Sequence, residues 1–151
     1  MEIIPMTLKQ ANEFVDRFHR HNKHVTGHKF SLGLTHNGEL IGVAIVGRPI
    51  ARNLDNGFNL EVLRVCIKDN APKGANSKLY ARCRAIGQMM GYKKIITYTL
   101  KSESQSTMKA LGAIQECDVK AHEWTRPSRE RSSQPVYRQD KIRWELNTIE
   151  V

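Results

Sequence analysis

LEVLRVCIKDNAPKGANSKLYARCRAIGQMMGYKKIITYTLKSESQSTMKALG, residues Leu60 to Gly112, is the stretch whose reading decides the fold. Leu60 to Lys68 is apolar and β-branched enough to be a strand. Asp69 to Asn76 is a loop holding Pro72 and Gly74. Asn76 or Ser77 then caps a helix running to about Met90, with Leu79, Ala85, Ile86, Met89 and Met90 on its buried face. Gly91 suits the left-handed residue just past a helix end. Lys94 to Leu100 is a second strand, and Ser102 to Leu111 a shorter helix ended by Gly112. Strand, loop, helix, strand and helix in this order form an α/β unit.

Upstream, Glu2 to Met6 alternates weakly as a first strand. Thr7 is a credible N-cap for a helix reaching about Arg20, with Leu8, Ala11, Phe14, Val15 and Phe18 at helical spacing. A polar, histidine-rich loop broken by Gly27 follows. Phe30 to Thr35 and Glu39 to Gly47 are strands joined at Asn37-Gly38, a pair that favours the positive backbone angles of a tight hairpin. Arg48-Pro49 ends the second of them, and Asn53 to Asn56 makes a turn. Downstream, Ile114 to Val119 and Ile142 to Leu146 have strand character, separated by a polar, basic loop at Arg126 to Pro135. The order β-α-β-β-β-α-β-α-β-β predicts a mixed sheet flanked by helices, an α/β domain spanning 1–151 with a basic loop around 122–141.

The bulk numbers agree with one domain. The chain has 151 residues, 40% hydrophobic and 26% charged, a globular rather than a disordered composition. Its longest apolar run, Leu40 to Val46, is strand-sized and far short of the ~20 residues of a membrane-spanning helix. The N-terminus lacks the pattern of a secretory signal, so a cytoplasmic location is expected. Lys and Arg number 24 against 15 Asp and Glu, a net charge of +9 that attracts polyanions. Cys66, Cys83 and Cys117 are odd in number and widely spaced, which argues against a disulfide framework and a cysteine zinc site. Cys66 reads as a small core hydrophobe.

The element order resembles that of the GNAT superfamily of N-acetyltransferases, and Met108-Lys109-Ala110-Leu111-Gly112-Ala113 resembles that superfamily's Tyr-x-x-x-Gly-Phe helix ending. More closely, the chain resembles a small phage and bacterial family called XF1762, related to the Mom DNA-modification proteins. The segments that carry this are His19-Arg20-His21, Gly27-His28-Lys29-Phe30, Gly42 to Pro49, Ser77-Lys78-Leu79-Tyr80, Gly91-Tyr92, Thr97 to Leu100 and Lys141-Ile142-Arg143-Trp144. The resemblance implies a GNAT-like fold and acyl transfer to nitrogen, with acetyl-CoA or another acyl-CoA as donor. The Mom relationship makes a DNA nucleobase a candidate acceptor.

The residues allow this chemistry and leave alternatives. Lys73, Gly74, Ala75, Asn76 and Ser77 lie where a helix N-terminus offers free amides to a phosphate. They are either a cofactor cradle or an ordinary capped helix start. Aligned on Gly74, the GNAT pattern Gln/Arg-x-x-Gly-x-Gly/Ala meets Ala71 and Asn76 instead of its other signature residues. Glu61 matches a position where some GNAT enzymes place a general base; otherwise it is a solvated strand-end carboxylate. By simple alternation Leu63 shares its face, while Val62 and Arg64 point the other way. The superfamily's usual tyrosine acid falls on Met108, so Tyr98 either substitutes or packs its ring. Ser104 and Ser106 lie where relatives contact cofactor or substrate, or else they cap a helix.

His19, His21, His24 and His28 crowd one segment. His24 and His28 are spaced i, i+4, but Gly27 breaks the helix between them, so a substrate-facing loop is expected rather than a metal centre, with His28 as its proton-transfer candidate. Arg126, Arg129 and Arg131, followed by Arg138, Lys141 and Arg143 and flanked by Trp124, Tyr137 and Trp144, suit DNA or RNA, with Arg48 and Arg52 extending the surface. Trp144 either stacks on bases or packs in the core. The leading reading is an N-acyltransferase; the alternative is a nucleic-acid-binding module of the same fold without acyl transfer.

Overall fold

A computed structural model describes residues 1–18, 25–120 and 140–146. In chain order these form β1 (Glu2–Met6), α1 (Leu8–Phe18), β2 (Phe30–His36), β3 (Glu39–Gly47), β4 (Asn59–Ile67), α2 (Ala75–Met89), β5 (Lys94–Leu100), α3 (Ser106–Ala110), β6 (Ile114–Val119) and β7 (Lys141–Glu145). A 3-10 turn at Arg52–Leu54 precedes β4. The strands make one seven-stranded sheet in the order β1-β2-β3-β4-β5-β7-β6. Neighbours run antiparallel except β4 and β5, which are parallel and therefore need a crossover, supplied by α2.

Local chemistry explains the clearest boundaries. Thr7 and Gln10 form a reciprocal capping box at the start of α1, with Gln10 N donating to Thr7 Oγ1 at 3.1 Å and Thr7 N to Gln10 Oε1 at 3.0 Å. Asn37 and Gly38 both take positive φ, 52° and 78°, and turn β2 into β3.

Helix α2 differs from its expected form. It starts at Ala75, and its N-cap is Gly74 (φ 90°) with no side-chain cap, so neither Asn76 nor Ser77 caps it. Met89 and Met90 are 87% and 53% exposed rather than core-facing. The buried stripe is instead Ala75, Leu79, Tyr80, Cys83 and Gly87. Small residues there let the helix lie close to the sheet: a Cβ on Gly87 would stand 2.6 Å from Ile95 Cδ1. The helix expected from Ser102 shortens to Ser106–Ala110. The preceding turn is held by Gln105, which accepts from Thr99 Oγ1 at 2.6 Å and donates to the Leu100 carbonyl at 3.0 Å.

Each face of the sheet carries its own core. Ala75, Leu79, Tyr80 and Cys83 of α2 and Met108 of α3 pack with Leu34, Val46, Leu60, Val62, Ile95, Ile142, Trp144 and Leu146. On the other face Ala11, Phe14 and Val15 of α1 pack with Val43, Ile45 and Cys66. Trp144 is thus a core residue, 4% exposed, its indole donating to Thr99 Oγ1 at 2.9 Å. Burial pushes the Cys66 and Cys83 thiols up to about 11 and about 12, so both stay protonated.

A bulge in β4 changes the phase of its side chains. Val46 pairs with Val62 and Ile45 with Arg64, which leaves Leu63 as an extra residue. Glu61, opposite Gly47, and Arg64, opposite Ile45, therefore share the α1 face, against the expectation from strict alternation. Strand β4 pairs with β5 only at Asn59–Lys94, Leu60–Ile95 and Glu61–Ile96. Beyond these the two strands part. Thr97 Oγ1 still reaches the Val62 carbonyl at 3.3 Å and is hydrogen-bonded by the buried Tyr80.

Close α2–sheet contact is testable: Gly87→Val is expected to lower unfolding stability by about 1–3 kcal/mol through overpacking against Ile95. Urea denaturation read by circular dichroism measures it, and an unchanged midpoint would contradict the packing.

Candidate active site

The fork between β4 and β5 organises the candidate residues. Glu61 is the last β4 residue paired with β5 and is 5% exposed. Its Oε1 accepts from Ile50 N at 3.2 Å. Burial pushes its carboxyl up to about 7, against the pull of that amide and of the positive charges on Arg64 and Lys141. A carboxyl so placed can gain or lose a proton at neutral pH.

Gly47 stands directly across from Glu61. A Cβ there would come within 2.9 Å of Leu63 Cδ1 and 3.4 Å of His28 Cα. The absence of a side chain thus lets the segment carrying His28 lie on β3 beside Glu61. Lys29 N anchors that segment to the Val46 carbonyl at 2.7 Å, and His28 Nδ1 shares a 2.7 Å hydrogen bond with the buried Ser31 hydroxyl.

Tyr98 lies two residues beyond Ile96, the partner of Glu61, and on the same face. Burial first, and then the nearby Glu61 charge, push its phenol up, while Arg143 hydrogen-bonds it and pulls it down. The phenol therefore keeps its proton at neutral pH. Glu61, His28 and Tyr98 are gathered on one face, where the strands separate.

Arg64, Lys141 and Arg143 also belong to this face, whereas strict alternation predicts Arg64 on the other side and the sequence groups Lys141 and Arg143 with the basic run after Arg131. Ile142 and Trp144 are buried in the opposite core, which turns Lys141 and Arg143 toward Glu61. That alternation was a usable signal; the β4 bulge had none. Lys141 is held below the usual lysine range by burial and by Arg64, with Glu61 opposing.

The cofactor candidates lie where β4 and β5 lead into their C-terminal loops. Lys73 and Gly74 are exposed, and a Cβ on Gly74 would meet nothing within 4 Å. Ala75 is 2% exposed, Ser77 half-buried, and Asn76 Nδ2 donates to Thr107 Oγ1 at 3.1 Å, joining the start of α2 to α3. Ser104 Oγ accepts from Ser106 N at 3.3 Å, a turn-capping bond just before α3, and Ser106 itself is exposed. Ala75 packs into the α2-face core, so this loop and the Glu61 group occupy opposite faces of the fork.

Arg48 is paired with Asp55 at 2.8 Å, and Arg52 is exposed on the 3-10 turn. Arg126, Arg129 and Arg131, like His19, His21 and His24, lie outside the described residues. Among the described residues no three His, Cys, Asp or Glu side chains are placed to hold a metal ion, and no helix is long and apolar enough to cross a membrane.

Solved acetyltransferases share the architecture. The ribosomal-protein alanine N-acetyltransferase of Escherichia coli superposes with a TM-score of 0.68 at 13% identity, covering 99% of this chain and 96% of its own. A Bacillus subtilis acetyltransferase solved in complex with CoA gives 0.66 at 15% identity, covering 98% and 99%. An acetyltransferase of the GNAT family from Streptococcus pneumoniae gives 0.65 at 11% identity, covering 95% and 96%. The fold is that of GNAT acetyltransferases. No curated protein matches the chain. The Mom protein family matches residues 1–108, from β1 into α3, and the chain accordingly belongs to the Mom protein family.

Proposed function

We propose that the protein is an acyl-CoA-dependent N-acyltransferase of GNAT-like fold that modifies a nucleobase in phage or bacterial DNA, acting in the cytoplasm as one domain over residues 1–151 and belonging to the XF1762 branch of its family. The observation that carries the chemistry is Glu61, a buried carboxyl poised near neutrality at the parting of two strands.

An acyl-CoA supplies an activated thioester carbonyl; the CoA-bound Bacillus subtilis structure supports such a donor on this fold. The residues present fit its anionic part. Gly74 opens the backbone at an N-terminus without a side-chain cap, and Lys73 adds positive charge. Lys73, Gly74, Ala75, Asn76 and Ser77 hold the pyrophosphate in this reading, with Ser104 and Ser106 at the adjoining turn. Glu61 would take the proton that the acceptor nitrogen loses as its bond to the acyl carbon forms, with the donor's carbon–sulfur bond breaking and the departing thiolate protonated by Tyr98. Tyr98, protonated at neutral pH, donates toward the charge that develops. His28, braced by Ser31, handles protons on the acceptor side.

Membership of the Mom family and a net charge of +9 support DNA as the acceptor. Arg48, Arg52, Arg126, Arg129 and Arg131 form the wider DNA-contacting surface. A second reading, a DNA- or RNA-binding module without transfer, is favoured by one observation. Met108 occupies the place of the tyrosine acid and is 1% exposed in the core.

Mass spectrometry of nucleosides from cells expressing the protein is expected to show a heavier nucleoside that disappears with Glu61→Gln. An unmodified pool from cells whose purified protein still binds DNA tightly would favour the binding module.

The rate of transfer is expected to rise with pH and level off above about 7, because the base works only when ionised. A rate already flat from pH 5 would remove Glu61 from this role.

The stability of the fold should respond in the opposite sense. The unfolded carboxyl ionises near 4.5 and the folded one near 7, so between these values the native state holds the extra proton and stability falls as pH rises. Glu61→Gln, which keeps an acceptor for Ile50 N, is expected to be about 2–3 kcal/mol more stable than the parent at pH 8. The gain should vanish near pH 4, as read by chemical denaturation at each pH.

A further inference from the structure

The loop joining β3 to β4 presents an aliphatic side chain to solvent. Ile50 is 65% exposed, although Pro49 before it is buried and Ile50 N is tied to Glu61 Oε1 at 3.2 Å. The loop around it is braced. Arg48 holds Asp55 Oδ2 through Nε at 3.0 Å and Nη2 at 2.8 Å. Leu54 N donates to the Ala51 carbonyl at 3.0 Å, and Asn59 Nδ2 to the Leu54 carbonyl at 2.8 Å. Proline fixes the backbone angle just ahead of the tip. A branched apolar side chain is thus held out from a backbone anchored before and after it.

Cations flank this tip. Arg52 follows it by two residues, and Lys29 is anchored beside the end of β3 through the Val46 carbonyl. Both are exposed, and among the described residues no carboxylate pairs with either. Arg48 precedes the tip by two residues, and its side chain remains 72% exposed while paired with Asp55.

This combination selects among partners. A protein interface needs a broad, contiguous apolar patch. A single aliphatic projection among cations instead matches stacked bases between phosphates, where such side chains enter a base step and unstack it. Glu61 is 5% exposed, so a base held in a duplex stack does not reach it. The bond from Ile50 N to its carboxylate sets the tip beside the group that requires an unstacked base.

Resting on the reading of DNA as the acceptor, we propose that Ile50 is a wedge that enters duplex DNA between base pairs, with Lys29, Arg48 and Arg52 on the adjoining phosphates, and opens the stack next to Glu61.

The test uses the full-length protein and a short duplex carrying 2-aminopurine, whose fluorescence is quenched by stacking, opposite thymine at several positions. At protein concentrations that saturate the duplex by anisotropy, the parent is expected to raise the fluorescence roughly two-fold or more. Ile50→Ala should abolish the rise at its own saturation, and Ile50→Leu should restore it. Arg52→Gln should weaken binding and lower the salt slope by about 0.9. A saturated parent complex without the rise would overturn the wedge alone and leave DNA binding standing. So would an Ile50→Ala protein of parental thermal stability that keeps the rise. An unchanged salt slope for Arg52→Gln would take the loop off the DNA and overturn the proposal. A parent that binds no DNA would overturn the wedge and the DNA reading together. A rise lost in Ile50→Ala, in a protein that yields no modified nucleoside, supports the wedge and refutes transfer.

Discussion

Strand β4 must serve neighbours of opposite sense, β3 antiparallel to it and β5 parallel. A single surplus residue, Leu63, decides how far it can serve both. Below the bulge all the strands keep register and close a continuous sheet. Above it β4 remains on β3 and leaves β5, since a bulge bends its own strand and increases local twist. The helices cover the faces to either side, so the gap between β4 and β5 is a consequence of backbone count rather than of any side chain. What the side chains do is occupy that gap: Thr97 and Tyr80 tie its base, and Glu61 stands at its last rung.

Burying a carboxyl at that rung carries a free-energy cost, which the surroundings offset only in part. One backbone amide and the charges of Arg64 and Lys141 favour ionisation, yet loss of hydration outweighs them. Full compensation would yield a permanently ionised, chemically inert group. Partial compensation yields a carboxyl that changes state in the range where cells operate. The same logic with opposite sign applies to Lys141, which burial and a neighbouring cation hold below its usual range.

Much of the architecture was legible because its signals are local. The Thr7 cap, the Asn37-Gly38 turn and the periodicity of α1 are short-range properties, and the element order follows from them. The buried face of α2 was misjudged because Cys83 and Gly87 pack by being small, a property that hydrophobicity does not register. The short α3 was overextended because Gln105 bonds to its own turn. At the site, separate local signals point to Glu61, His28 and Tyr98, and their shared face depends on Gly47 lacking a side chain and on the strand register. Strict alternation puts Arg64 on the wrong side because a bulge arises from pairing between strands, which one strand's residues do not announce.

The position of β7 bears on how the molecule comes into being. It enters between β5 and β6, pairing with both, and Leu146 N closes onto the Ile95 carbonyl at 2.8 Å. Contacts of such long sequence separation form late, since loop closure must precede their reward. Lys141 and Arg143 arrive with that strand, and Trp144 seals the core as it docks. A partly folded chain therefore has Glu61 beside Arg64 but without Lys141 and Arg143, and an open edge at β5. The fork acquires its full electrostatic character only when the sheet is complete, so the environment of Glu61 is set by the last strand to dock rather than by the strand that carries it.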